Sequence, residues 1–123
     1  MPLNYLDFDH SEDTEGVLTF EAMASVGPAQ VPQVHAEIAE VLGWAFQAFP
    51  QGHGPVHEGF AWDHDLQSQR EYSASDTLDF DEHSGQLRVL AQAPGLARHT
   101  ITLSLSGSVD FGRALVQRFG LTV

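Results

Sequence analysis

Apolar and polar residues alternate along several stretches of the chain, and this period of two is typical of strands with one buried and one exposed face. In residues 98–106, for example, Ile101, Leu103 and Leu105 alternate with threonine and serine. The pattern predicts strands in six places. They span residues 4–9, 17–26, 60–72, 78–81, 86–92 and 98–106.

Two other stretches follow the three- and four-residue spacing of an amphipathic helix. Residues 32–49 carry one apolar stripe, start at Pro32, which a first helical turn tolerates, and end before Pro50. Ser108 precedes a shorter helix that ends near Phe119, where Gly120 provides a C-terminal glycine. Each helix therefore has one face to bury against another layer.

The connection at residues 82–85 predicts both a hairpin and its register. A four-residue turn that contains Gly85 places Phe80 opposite Leu87 and Asp79 opposite Arg88. An exposed cross-strand ion pair of this kind contributes a few tenths of a kcal/mol, up to about 1 kcal/mol. We expect its main effect to be on register.

These elements predict a single α+β domain over residues 1–123. Short connections favour a mainly antiparallel sheet of about six strands in the order ββαβββα. Because each helix has one apolar stripe, the economical arrangement has two layers, with both helices on one face of the sheet.

Charge is distributed unevenly along the chain. The net charge is −12, which argues against nucleic acid or an anionic membrane as a partner. Residues 1–82 hold 16 of the 17 acids against one arginine, which gives −15, and residues 83–123 sum to +3. The absence of cysteine excludes disulfides and thiolate metal sites.

Other features of the composition indicate a cytoplasmic bacterial protein. Residues 1–10 lack the pattern of a signal peptide, and no apolar run approaches the length of a membrane span. Lysine is absent while alanine, glycine and valine are abundant, which indicates GC-rich codon usage.

Strand alternation places seven carboxylates on the exposed side of the predicted sheet. An exposed sheet face must be polar for solubility, but ordinary faces mix both signs of charge. The near absence of cations here favours a surface that attracts a basic protein partner, as small acidic inhibitor or immunity-type proteins do. The residues of this predicted acidic face are Asp7, Asp9, Glu21, Asp63, Asp65, Asp79 and Asp81.

A divalent-cation site is an alternative hypothesis. Asp7, Asp9, Ser11 and Asp13 carry oxygen ligands at the alternate spacing of a Ca²⁺ loop. Glu12 and Leu18, however, occupy the positions where that loop requires glycine and glutamate.

Histidines provide the remaining candidates for metal binding or catalysis. His53 and His57 have the His-x₃-His spacing, although on a Gly/Pro loop and not on a helix. His64 lies on the apolar face of its predicted strand, where a hydrogen-bonded core histidine is the commoner case, and its neighbours Asp63 and Asp65 are expected to point away from it. No nucleophile elbow, zinc-protease helix or phosphate-binding glycine loop is present.

Trp44 lies at the edge of the apolar stripe of its helix. We expect it to pack against the loop at residues 52–56, with exposure at a homodimer contact as the alternative. The favoured hypothesis for the whole chain is a non-enzymatic protein-interaction module that uses the acidic sheet face and needs no cofactor. An inhibitor that binds a basic partner, a metal-binding protein and a small enzyme with a histidine-containing pocket are the alternatives.

Overall fold

The computed structural model describes residues 3–92 and 95–122 and contains six strands and two α-helices. Short 3₁₀ turns precede α1 and β3, at Pro28–Gln30 and Val56–Glu58. The elements are β1 (Asp9–Glu12), β2 (Leu18–Val26), α1 (Val31–Ala48), β3 (Trp62–Ser73), β4 (Asp76–Asp81), β5 (Gln86–Gln92), β6 (Leu96–Gly107) and α2 (Val109–Phe119).

The strands form two antiparallel sheets. One has four strands in the order β1-β2-β6-β3, and the other consists of β4 and β5 alone. The α+β class and the antiparallel pairing predicted from the sequence are confirmed. Four strands lie between the helices, as in the six predicted stretches, so the order is ββαββββα and the predicted string ββαβββα is one strand short.

One face of the four-stranded sheet is covered by both helices. Alternate residues of β2 and β6, such as Phe20, Leu103 and Leu105, are buried there because the period of two turns them all to the same side. The apolar stripe of α1 includes Val34 and Ile38, and α2 buries a stripe of its own. The predicted two-layer arrangement therefore holds for this sheet.

Aromatic side chains join α1 to α2. The ring of Trp44 contacts Phe49, Phe111 and Phe119, with centroid distances of 5.6–6.2 Å. Trp44 is thus packed, as predicted, but its partners belong mainly to α2 and not to the loop at residues 52–56. Among the described residues, no helix is long and apolar enough to cross a bilayer.

The first segment of the chain is not the strand that its alternation predicts. Leu6 is buried, but the sheet begins only at Asp9. The backbone N–H groups of Asn4, Tyr5 and Leu6 donate to the Glu37 carboxylate on α1 at 2.7–3.2 Å. The Glu37 carboxylate accepts N–H groups that would otherwise form hydrogen bonds with a neighbouring strand. The segment therefore packs on the helical layer instead of joining the sheet.

At the far ends of β3 and β6 and along the β4–β5 hairpin, no side chain whose burial the structure describes is buried, so no layer covers this region. We call this region, residues 66–92 and 95–99, the β-arm. Its hairpin has the predicted register, with Phe80 opposite Leu87 and Asp79 opposite Arg88. Asp79 and Arg88 form the predicted ion pair, at 2.7 Å. The predicted single sheet of about six strands is divided here, because β4 and β5 form a sheet of their own.

Candidate functional site

The loop before β3 runs along the free edge of that strand. The N–H of Ala61 donates to the carbonyl of Gly52 at 2.9 Å, and the N–H of Gly54 donates to the carbonyl of Trp62 at 3.0 Å. His53 thereby forms an isolated parallel bridge with Trp62. This pairing brings a loop histidine beside the first residues of an edge strand.

Glycines on both sides of His53 permit the close approach. A Cβ on Gly54 would lie 2.7 Å from the ring of Phe60, and a Cβ on Gly52 would lie 3.1 Å from the carbonyl oxygen of Phe49. Phe60 is partly exposed and precedes the strand, which begins at Trp62 and not at residue 60 as predicted. Its ring holds the loop in place instead of extending the sheet.

Three side chains converge at this edge. The Nε2 atom of His53 lies 2.8 Å from Nδ1 of His64 and 3.2 Å from Oδ1 of Asp63. One ligand atom from each residue lies within 4.8 Å of the other two, and all three residues are half-buried. In the part of the chain that the structure describes, this is the one group of three or more histidine and acidic side chains arranged in this way.

Aromatic rings and a backbone hydrogen bond fix the three side chains. The ring of His53 contacts Phe46 at 4.9 Å and Trp62 at 4.7 Å between centroids. The backbone N–H of His64 donates to Oδ1 of Asp63 at 2.8 Å, which orients the carboxylate. The buried indole N–H of Trp62 has no hydrogen-bond partner among the described residues.

The structure rearranges the histidine pairing that the spacing predicts. His57 is exposed in the 3₁₀ turn, and His53 pairs with His64 in its place. His64 is hydrogen-bonded, as the core-histidine interpretation requires, but it is only half-buried and so does not belong to the core. Asp63 was expected to point away from that histidine, but its oxygen reaches the same point in space because His53 approaches from outside the strand.

The aspartates of the Ca²⁺-loop hypothesis do not gather around one point. Asp9 opens β1, whereas Asp13 accepts the N–H groups of Glu15 and Val17 at 2.8 and 2.9 Å and so closes the following turn. Asp7 is exposed before β1. Within residues 3–92 and 95–122, these aspartates form no cluster of potential metal ligands.

The predicted acidic face is divided between regions. Asp9, Glu21 and Asp65 lie in one row across the uncovered face of the four-stranded sheet, because Asp9 pairs with Glu21 and both Glu21 and Asp65 pair with Ser104. Asp63 lies on the same face one row away, opposite Ser106. The remaining members of the predicted set lie elsewhere: Asp7 precedes β1, and Asp79 and Asp81 belong to the hairpin.

Apolar side chains concentrate on the β-arm. It contains eight of the twelve large hydrophobic residues that are exposed within the described chain. Leu78 and Phe80 of β4 lie opposite Val89 and Leu87 of β5, so all four project from the same side of the hairpin. The alternation along residues 78–81 and 86–92 predicts both strands, but it predicts a buried apolar side for them.

A groove of about 340 Å³ lies between α1 and the root of the β-arm. Leu66 at its rim is 46% exposed, although its position faces the covered side of the sheet. The groove is lined by His35, Ile38, Ala39, Leu42, Leu66, Ser68 and Ile101. It is therefore a mainly apolar recess beside an edge strand.

The chain matches no protein family, no curated protein and no solved structure.

Proposed function

We propose that the chain is a non-enzymatic interaction module that associates with a second copy of itself through the apolar side of β4 and β5. The observation that supports this proposal is the exposure of the four side chains on that side. Leu78, Phe80, Leu87 and Val89 are each between 56% and 65% exposed. Contiguous apolar surface of this kind marks an interaction site, whereas isolated exposed hydrophobic residues are ordinary.

The physical reason is the instability of an uncovered hairpin. Two strands alone are marginally stable in water and need a third strand or a packed layer. Full burial of one leucine-sized side chain contributes about 1.5–3 kcal/mol. A second copy that covers the four side chains would supply the missing layer.

The charge distribution and the groove beside Leu66 favour a second copy of the chain as the binding partner. The β-arm, counted over residues 66–99, carries three of the five arginines and a net charge of −2, whereas the rest of the chain carries −10. Contacts between two surfaces outside the β-arm would therefore be the most repulsive, and contacts that involve a β-arm are less opposed. The groove beside Leu66 offers that arm an apolar recess, and a two-fold axis would let both arms dock at once.

Sedimentation equilibrium of two matched double variants tests this proposal. We expect the wild-type chain to show a concentration-dependent dimer and Phe80→Ser with Leu87→Ser to be a monomer. The control, Asp79→Ser with Gln86→Ser, changes the same two strands on their polar side and should still dimerise.

A third variant tests the other half of the contact. Ala39 is an exposed residue of the groove, and Ala39→Arg places a long charged side chain there. It should abolish dimerisation without touching the arm. A wild-type chain that stays monomeric at about 1 mM, or an apolar-side variant that dimerises as strongly as its control, would overturn the proposal.

A second candidate function is the docking of a basic protein on the row formed by Asp9, Glu21 and Asp65, which we call the acidic row. It is supported by three carboxylates in one row, none of which forms an ion pair with an arginine in the described residues. Such binding is steered by charge and weakens as salt screens it. The variant that neutralises the row is Asp9→Asn, Glu21→Gln and Asp65→Asn.

A cationic peptide of arginine repeats is a suitable probe for this second candidate. Its affinity for the wild-type chain should fall steeply with ionic strength and should fall further in the row variant than in a control of equal charge. The control neutralises three exposed acids outside the row, with Glu15→Gln, Glu58→Gln and Glu82→Gln. Equal losses in the two triple variants would mean that net charge alone matters and would reject a specific acidic site.

A further inference from the structure

We propose that His53, Asp63 and His64 bind one divalent transition-metal ion of the zinc class at the free edge of β3. The ligand atoms are Nε2 of His53, Nδ1 of His64 and a carboxylate oxygen of Asp63. Imidazole nitrogen and carboxylate oxygen are ligands that zinc accepts, and three protein ligands leave a fourth position open.

The separations between the ligand atoms fit a tetrahedral ion. Zinc–ligand bonds of about 2.0 Å place neighbouring ligands about 3.3 Å apart. The two observed separations from Nε2 of His53 are 2.8 Å to His64 and 3.2 Å to Asp63. An increase of about 0.5 Å in the shorter one would bring both to this distance, and the third pair of ligand atoms, from His64 and Asp63, lies within 4.8 Å.

A metal ion satisfies all three atoms more fully than a single shared proton does. A neutral imidazole offers one N–H and one lone pair, and an ionised carboxylate offers lone pairs alone. Nε2 of His53 faces both Nδ1 of His64 and Oδ1 of Asp63, so one proton on it can point at either neighbour but not fully at both. A metal ion accepts a lone pair from each of the three.

The surroundings also favour a cation. Asp65 and Glu21 lie on the same uncovered sheet face as Asp63, and neither arginine ion pair of the described chain involves Asp63. The negative field of these acids attracts a divalent cation toward the edge of the sheet.

Packing and access suit a bound ion. Phe46 and Trp62 hold the imidazole rings from the apolar side, while the N–H of His64 orients the carboxylate, as supporting residues do at metal sites. The side chains of His53 and Asp63 are 30% and 36% exposed, so an ion can enter from solvent.

Titration of the untagged chain with Zn²⁺, and with Co²⁺ as the visible analogue, tests the site. We expect one ion per chain and the visible absorption of four-coordinate Co²⁺. His53→Ala or His64→Ala should weaken binding by more than about tenfold. His57→Ala removes a nearby exposed histidine and should leave the affinity unchanged within about twofold.

The aspartates offer a control of equal charge. Asp63→Asn should weaken binding, whereas Asp65→Asn removes the same charge two residues along the same face and should have a small effect. If the two variants lose affinity equally, the field of the acids and not ligation is responsible, and the site is wrong.

A measurement on the wild-type chain covers the case in which a variant fails to fold. Imidazole ¹⁵N spectra recorded with Zn²⁺ should shift the resonances of His53 and His64 and leave the other five histidines in place. Binding weaker than about 1 mM, or zinc shifts on other histidines, would contradict the proposal. In that case the 2.8 Å contact is a hydrogen bond between two imidazoles and nothing more.

Discussion

We call the described residues outside the β-arm the body of the molecule. Strands of the body and of the β-arm show the same alternation of apolar and polar residues, yet only the body has a hydrophobic core. Within the described part of the chain, all sixteen buried hydrophobic residues lie outside the β-arm. In β6, Leu103 and Leu105 are fully buried beneath the helices, whereas Phe80 and Leu87 of the hairpin are 58% and 65% exposed. The difference lies in what covers a strand and not in the strand itself.

Alternation identifies a strand with an apolar side, because successive side chains point to opposite faces. It carries no information about whether that side meets a helix of the same chain or another molecule. In the β-arm the covering layer is absent from the described chain, so the apolar side is where we place the second copy.

The largest expected effect is a difference in the free energy of unfolding between a core variant and a β-arm variant. Leu103→Ala removes a fully buried side chain and should lower the free energy of unfolding by about 2–5 kcal/mol. Leu87→Ala removes a mostly exposed one and should lower it by less than about 1 kcal/mol when the chain is monomeric. Urea denaturation at low protein concentration measures both values, and equal losses would mean that the arm is as well packed as the body.

The second prediction tests whether residues 3–8 belong to the body. Glu37→Ala deprives three consecutive backbone N–H groups of their acceptor and should cost about 1–3 kcal/mol. Gln47→Ala, an exposed change on the same helix, should stay within about 0.5 kcal/mol. Thermal unfolding compares the two variants. A Glu37 variant as stable as the Gln47 variant would show that the segment is not anchored.

A smaller effect is expected within the arm. A double-mutant cycle on Asp79 and Arg88, each to alanine, should give a coupling of about 0.2–1 kcal/mol that shrinks with added salt, because both side chains are largely exposed. A coupling well above about 1 kcal/mol would mean that this pair is shielded from water, contrary to the proposed location of the interface on the other side of the hairpin.

The smallest effect concerns the hairpin turn. The backbone N–H of His83, at 3.0 Å, and then the side chain of Ser84 stabilise the ionised carboxylate and hold the pKa of Asp81 below its ordinary value of 3.8. A lowered pKa stabilises the folded turn above pH 3.8, and this contribution is lost as the pH falls through the folded-state pKa. Carboxyl ¹³C titration should give a midpoint below 3.8 that rises in Ser84→Ala, and an unchanged midpoint would rule out the hydroxyl as a cause.

Local signals in the sequence sufficed for most of the fold. The cap of α2 is formed as predicted, with the hydroxyl of Ser108 accepting the N–H of Phe111 at 3.3 Å and Gly120 in the left-handed conformation. The hairpin register was equally predictable, since turn length fixes it. Residues 4–8 were not, because Glu37, which accepts the N–H groups of Asn4 and Leu6, is more than thirty residues away.

The candidate metal site depends on contacts that sequence spacing cannot show. His53 and His64 are eleven residues apart, and they meet only because a loop pairs with the edge of β3. The glycines that flank His53 were the available signal, since both allow close packing of the loop. The acidic row was only partly predictable, because alternation gives the face of a strand but not the sheet to which the strand belongs.

Hydrogen exchange at several protein concentrations tests the central claim most directly, namely that the body is held by its own core and the arm by a second copy. Amide exchange in β4 and β5 should slow as concentration rises, while the amides of β2 and the buried half of β6 stay equally protected throughout. Exchange in β4 and β5 that is fast at every concentration, or slow at every concentration including the most dilute, would contradict the account.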